Sequence, residues 1–265
     1  MSTSPVFTRL ANQTLSSYEI TTGRLLGAGI IVLLLAIHQR QQLPVRGDRL
    51  KFAGFGLITA LHFLFYIASL EFTTIAHSLT IVYTAPIFVA ICSWYFLGEV
   101  LTRRKWLGTL IVVIGVAILA GLEPQITPRM LWGDLLALGS AITFGFYSVA
   151  GRSQRQRYQL FAYAGSIYLL AGLWMLPVAF LFLRPAGYTG VAISSLLGLA
   201  LFPMVIGHTL YNAALRKTDA TLVNLIATQE ITVGILLGII LLSEVPSPAS
   251  LVGVLVTLVG IFFVV

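Results

Sequence analysis

Apolar stretches divide the chain, about nine of them and most of roughly 18 to 25 residues, long enough at ~1.5 Å per helical residue to cross a ~30 Å hydrocarbon core. They fall at 23–37, 52–70, 76–97, 106–122, 130–150, 160–183, 190–214, 219–242 and 248–265. No other feature limits the fold as strongly, because a backbone in lipid must satisfy its own polar groups and helices do so within one segment. Of 265 residues, 58% are apolar and 9% charged, against about 25% charged in a soluble domain, so a water-facing surface cannot be covered. The first stretch lacks a small-residue cleavage site and many like it follow, which excludes a lone signal peptide. The expected fold class is an all-α polytopic membrane protein whose solvent is the lipid bilayer.

The net charge of +7 does not point to nucleic acid, because the basic residues sit in short loops. Four loops hold Arg40, Arg46, Arg49 and Lys51; Arg103, Arg104 and Lys105; Arg152, Arg155 and Arg157; and Arg216 and Lys217. The intervening ones hold only Arg9, Arg24, Arg129 and Arg184, twelve against four. Basic loops resist translocation, so the twelve are expected on the cytoplasmic side, with the carboxyl terminus. The linkers carry turn formers, such as Leu43-Pro44-Val45, Glu123-Pro124-Gln125 and Pro246-Ser247-Pro248, and none marks a separate soluble domain. Cys92, the single cysteine, lies inside an apolar stretch and leaves no disulfide or thiolate metal cluster to form.

A shift of 145 residues superposes Tyr66 on Tyr211, Ala68 on Ala213, Glu99 on Glu244, Gly108 on Gly253 and Gly115 on Gly260. Two copies of one unit are therefore expected, at 1–122 and 130–265. Five helices per unit, an odd number, would turn the second copy upside down relative to the first, as the charge alternation requires. The second unit opens with a full helix, Met130 to Ala150, whereas the first has a remnant, Ser2 to Leu10, when Arg9 is aligned with Arg152. A ten-helix plan with a truncated first helix and nine full spans follows, with a natural start farther upstream as the expected cause.

Tyr83-Thr84-Ala85-Pro86, followed by Leu97-Gly98-Glu99, Trp106-Leu107-Gly108 and Gly115, resembles the EamA-type unit of the drug/metabolite transporter superfamily. The second copy repeats it with Leu242-Ser243-Glu244, Gly253 and Gly260. Glu19 and Arg24 ahead of the second helix, Gly133-Asp134 opening the sixth, and the run Gly207, His208, Thr209, Leu210, Tyr211, Asn212 in the eighth extend the resemblance over the chain. The resemblance implies a carrier, usually in a bacterial inner membrane, that exports amino acids, metabolites or drugs. Two positions depart from it: the short first helix, and Ile231 where such units often have the proline that Pro86 supplies in the first copy.

Glu230 stands out among candidate site residues, since a carboxylate at mid-membrane costs roughly 2.5 to 3.5 kcal/mol on insertion scales. It is expected about eleven residues into its span, as a partner for a substrate ammonium, as a proton-coupling group, or as an acid paired against another helix. His208 with Tyr211 or Asn212 returns to one helix face, and His62 with Tyr66 would form a similar wall across the pseudo-twofold. Polar glue between helices is the alternative for all of them. Gln229 and Asn224 flank Glu230, either orienting substrate or satisfying each other. Pro86 removes a backbone donor at the centre of its span, so a kink is expected whose freed carbonyl touches substrate or marks only a bend.

Glu99 and Glu244 are expected as structural caps for the helices that follow them. Trp106 and Trp132 fit interfacial anchors, while Trp94 and Tyr95 face either lipid or a cavity. Gly27, Gly54, Gly56, Gly108, Gly115, Gly253 and Gly260 read as packing seams. No Walker pattern is present, so ATP hydrolysis within the chain is not expected. His62 and His208 lack the second carboxylate a metal site needs, and no cofactor or catalytic residue is assigned. The expected function is small-molecule transport by alternating access with proton coupling, against two rivals: an inactive or regulatory truncated carrier, and a membrane-embedded enzyme built on His208, Tyr211 and Glu230.

Overall fold

The computed structural model describes residues 1–97, 102–121, 126–154, 156–217, 223 and 227–264, and among these the regular elements are helical throughout. Glu99, Asn224, Arg155 and the turn at Glu123-Pro124-Gln125 lie outside the described residues. In order the helices are α1 (Ser4–Asn12), α2 (Ser17–His38), α3 (Arg49–Phe72), α4 (Ile75–Val82), α5 (Ala85–Leu97), α6 (Arg103–Gly121), α7 (Pro128–Gln154) and α8 (Leu160–Leu181). α9 (Gly190–Leu199) continues through a π-helical segment, Ala200–His208, into α10 (Thr209–Lys217), and α11 (Gln229–Leu242) and α12 (Pro248–Val264) complete the chain.

Among the described residues six pieces are long and apolar enough to cross a membrane, where nine full spans are expected: Ser17–His38, Arg46–Phe72, Ile75–Phe96, Pro128–Gln154, Leu160–Leu181 and Gly190–Lys217. The other three expected spans hold shorter apolar helices, Trp106–Leu119, Gln229–Leu242 and Pro248–Phe263.

Local chemistry explains the starts and interruptions. Ser16 and Glu19 form a capping box, in which Ser16 Oγ accepts from Glu19 N at 3.3 Å and the Glu19 carboxylate accepts from Ser16 N at 2.9 Å. That start puts Arg24 inside α2 and buried, which corrects its place among the loop residues; Arg9 likewise lies on α1. The fourth span breaks at Tyr83-Thr84, where Thr84 N and Thr84 Oγ1 donate to Ile81 O at 3.0 and 2.7 Å. α5 then restarts with Pro86 in its first turn, where a missing N–H leaves no bond unmade. In the eighth span Pro203 falls inside the π-helical segment, whose wider turn ends at His208.

Packing follows the repeat. α2 lies on α8, α6 on α12, and α3 on α7 as α9 lies on α1. At the α2–α8 crossing a Cβ on Gly29 would meet Leu169 N at 2.5 Å, and one on Gly165 would meet Leu33 N at 2.6 Å, so the two backbones touch. Gly115, Gly253 and Gly260 do the same along the α6–α12 seam, against the backbones of Thr257, Leu119 and Val112, and Gly56 meets Leu170 of α8. Gly54 is exposed with nothing within 4 Å of its Cβ position, so it belongs to no seam. Trp94 and Tyr95 are also exposed, on the outer face of α5.

Candidate functional site

The break in the fourth span and the π-helical segment in the eighth aim side chains from both halves at one narrow central space. Arg24 of α2, His62, Phe63 and Tyr66 of α3, Tyr83 at the break, Phe144 of α7, His208 and Glu230 all line it. Four expected site residues, Glu230, His208, His62 and Tyr66, therefore meet in a single cavity.

Glu230 sits in the first turn of α11 rather than deep within a helix, and the amino end of a helix favours a carboxylate. The Tyr83 hydroxyl of the first half donates to it. His62 is anchored to α7, its Nδ1 lying 3.0 Å from Ser140 O and 2.9 Å from Ser140 Oγ. The His208 ring meets Phe63 edge-on at 4.9 Å between centroids, with His62 6.5 Å away. Arg24 is 1% exposed, lies 4.5 Å over the Phe63 ring, and donates from one terminal nitrogen to Ser4 Oγ at 2.9 Å. Among the described residues, two buried polar atoms of this lining find no hydrogen-bond partner, Arg24 Nε and His208 Nδ1, while the Tyr66 hydroxyl lies against Ser4.

The remaining expected residues lie around this centre. Asn212 is a brace, its amide nitrogen 2.6 Å from Tyr147 Oη, 3.2 Å from Tyr168 Oη and 2.9 Å from the His208 carbonyl oxygen. Tyr211 Oη lies 3.1 Å from Ser148 Oγ, and with Gln229 it lines a second, more open lateral pocket that also reaches Glu230. Gln229 itself is exposed. Pro86 is buried where α5 restarts. Sequence reasoning missed Arg24 and Tyr83; the capping box at Ser16 was the signal that places Arg24 two turns inside a helix.

Polar clusters away from the cavity tie helix ends together. Arg9 Nη2 pairs with Glu244 at 2.9 Å and donates to Thr73 O, also at 2.9 Å, while Glu244 accepts the Ile75 N–H that opens α4. Glu244 thus caps a helix of the other half, not the one that follows it. His77 of α4 meets Asp134 of α7 at 3.1 Å, and Thr73 Oγ1 donates to Asp134 at 2.8 Å. In the loop before α8 the Tyr158 hydroxyl donates to Asp48, which pushes its phenol above the usual range, and Arg157 pairs with Asp48 at 2.9 Å.

The sequence model of the EamA-like transporter family matches residues 1–121 and again 131–265. The chain belongs to that family. Among curated relatives it is 28% identical over 181 residues to an "Uncharacterized transporter" of Archaeoglobus fulgidus (strain ATCC 49558 / DSM 4304 / JCM 9628 / NBRC 100126 / VC-16), a match covering 68% of this chain and 64% of the relative. It is 25% identical over 179 residues to the "Uncharacterized transporter YoaV" of Bacillus subtilis (strain 168), covering 66% and 61%. The matches thus span somewhat under two thirds of those relatives. A solved structure described as "Crystal structure of protein" superposes with a TM-score of 0.73 over 99% of this chain and 91% of its own, at 18% identity, which is a likeness of fold. By family and composition the chain is that of a multi-pass membrane protein.

Proposed function

We propose that the protein carries a small molecule across the cell membrane by alternating access, with inverted units at 1–122 and 130–265 that rock about the central cavity and expose it to each side in turn. In this reading the membrane is a bacterial inner membrane, the carboxyl terminus is cytoplasmic, transport is outward, and Glu230 couples binding to protonation. The observation that carries it is the lining of the cavity: side chains of both units converge on one central space and, among the described residues, leave Arg24 Nε and His208 Nδ1 buried without partners. Buried polar groups in folded proteins are nearly always satisfied, so such a cluster suits a ligand that satisfies them. Glu230 suits coupling because it is an intramembrane acid facing that space, where it accepts from the Tyr83 hydroxyl and faces the charges of Arg24 and the amino terminus.

The test is transport by the purified protein in liposomes under an imposed pH gradient. Glu230→Gln keeps the shape of the side chain and its ability to accept from Tyr83. It should fold and lose the dependence of transport on the gradient, at least tenfold at the optimum. Retained pH dependence in this variant would overturn the coupling role.

A further inference from the structure

Resting on that carrier reading, we propose that Arg24 is the anion-binding residue of the central cavity, and that the substrate presents a carboxylate on an apolar or aromatic body. A guanidinium stays charged at every accessible pH and carries five donors in a rigid fork. In Arg24 one terminal nitrogen reaches Ser4 Oγ and the face lies over Phe63, but Nε finds no acceptor although the side chain is 1% exposed. His208 Nδ1, on the same cavity wall, is equally unsatisfied. These groups call for an acceptor-rich ligand, and a planar carboxylate meets the guanidinium fork through two parallel hydrogen bonds.

Glu230 is not the acceptor for Arg24 Nε: its carboxylate takes the Tyr83 hydroxyl, in the first turn of α11. It balances the charge of Arg24 across the cavity, one charge from each half of the chain. Phe63 and Phe144 supply the apolar wall beside these two groups. A carboxylate with an α-ammonium would span the pair with both ends matched, whereas a simple organic acid would use the Arg24 end alone.

The experiment is thermal unfolding of the purified full chain with matched compounds that share one body: 3-phenylpropanoate, 3-phenylpropanamide, phenylalanine and phenethylamine, then hexanoate, hexanamide, leucine and isopentylamine. Only the carboxylate-bearing members should raise the midpoint. Response to phenylalanine or leucine without the simple acids assigns a zwitterion, and response to the acids assigns an organic anion; both support the proposal. Arg24→Lys keeps the cation but loses the fork, and should weaken apparent affinity at least tenfold. Should this variant not fold, the carboxylate and amide comparison on the wild-type protein decides alone. Amides or amines that bind as well as carboxylates, or undiminished binding by Arg24→Lys, would overturn the role of Arg24 while leaving the carrier reading in place. A cooperatively unfolding sample that no compound stabilises would overturn both.

Discussion

Among the described residues, the companion a buried acid finds decides its work. Glu19 is held by the Ser16 capping box and receives Arg184 N at 3.2 Å, which commits it to structure. Tyr188, in the loop before α9, is half-exposed; partial burial and then the hydrogen bond and charge of Glu19 push its phenol up to about 12 from an ordinary value near 10. Between about pH 10 and 12 the folded chain then binds more protons than the unfolded one, so stability from this group is present below pH ~10 and lost as pH rises through that window. The melting-temperature advantage of wild type over Tyr188→Phe should shrink across it, and a constant difference from pH 9 to 12 would contradict the contact. Residues at the central cavity were legible to the extent that they break an apolar pattern. Glu230, His62 and His208 are conspicuous in lipid-facing composition, but Tyr83 is not, because its hydroxyl matters through a contact 147 residues away. Arg24 was misplaced because a hydropathy window stops at a charge, while the hydrogen bonds of Ser16 and Glu19 start the helix seven residues earlier.

Helices here are held by close approach as much as by apolar burial, since lipid tails are as apolar as leucine and give little drive for helices to associate. Gly29 and Gly54 separate the two effects, because one sits against the Leu169 backbone and the other faces open space. Gly29→Ala should destabilise by about 1–3 kcal/mol through overpacking. Gly54→Ala should be neutral or stabilising by up to ~1 kcal/mol, because alanine is the better helix former. Denaturant unfolding in detergent micelles reads both, and equal effects would show that the seam is not set by backbone contact. Six of the nine expected spans are helices long enough to cross among the described residues, the other three holding shorter apolar helices, and the glycine seam was readable at Gly115, Gly253 and Gly260. Composition did not reveal the π-helical segment or the start of α11 at Gln229, because hydropathy reports which residues prefer lipid and not which carbonyl each N–H chooses. Pro86 marked an interruption correctly, yet the bonds that make it belong to Thr84, two residues earlier.

At the scale of the whole molecule, rocking of one unit against the other requires contacts that hold one face shut and can be broken. Glu244, beyond the end of α11, reaches into the first unit and accepts the Ile75 N–H at the start of α4. Arg9 of α1 pairs with the same carboxylate through two nitrogens, at 2.9 and 3.2 Å, and also donates to the Leu70 and Thr73 carbonyls at the end of α3. One carboxylate thus fastens four helix ends across the boundary between 1–122 and 130–265, so in the proposed cycle that face opens only when Glu244 leaves α4. Glu244→Gln can still accept from Ile75 but loses the ion pair with Arg9, a partly buried contact worth on the order of 1 kcal/mol. Amide hydrogen exchange over residues 70–77 should then quicken about fivefold, since openings that expose these amides become that much more frequent. Glu230→Gln should leave exchange at 70–77 unchanged while altering the pH dependence of transport. If Glu244→Gln exchanged at the wild-type rate, the fastening would be incidental, and the barrier to opening this face would have to lie in the apolar contact of α4 with α11.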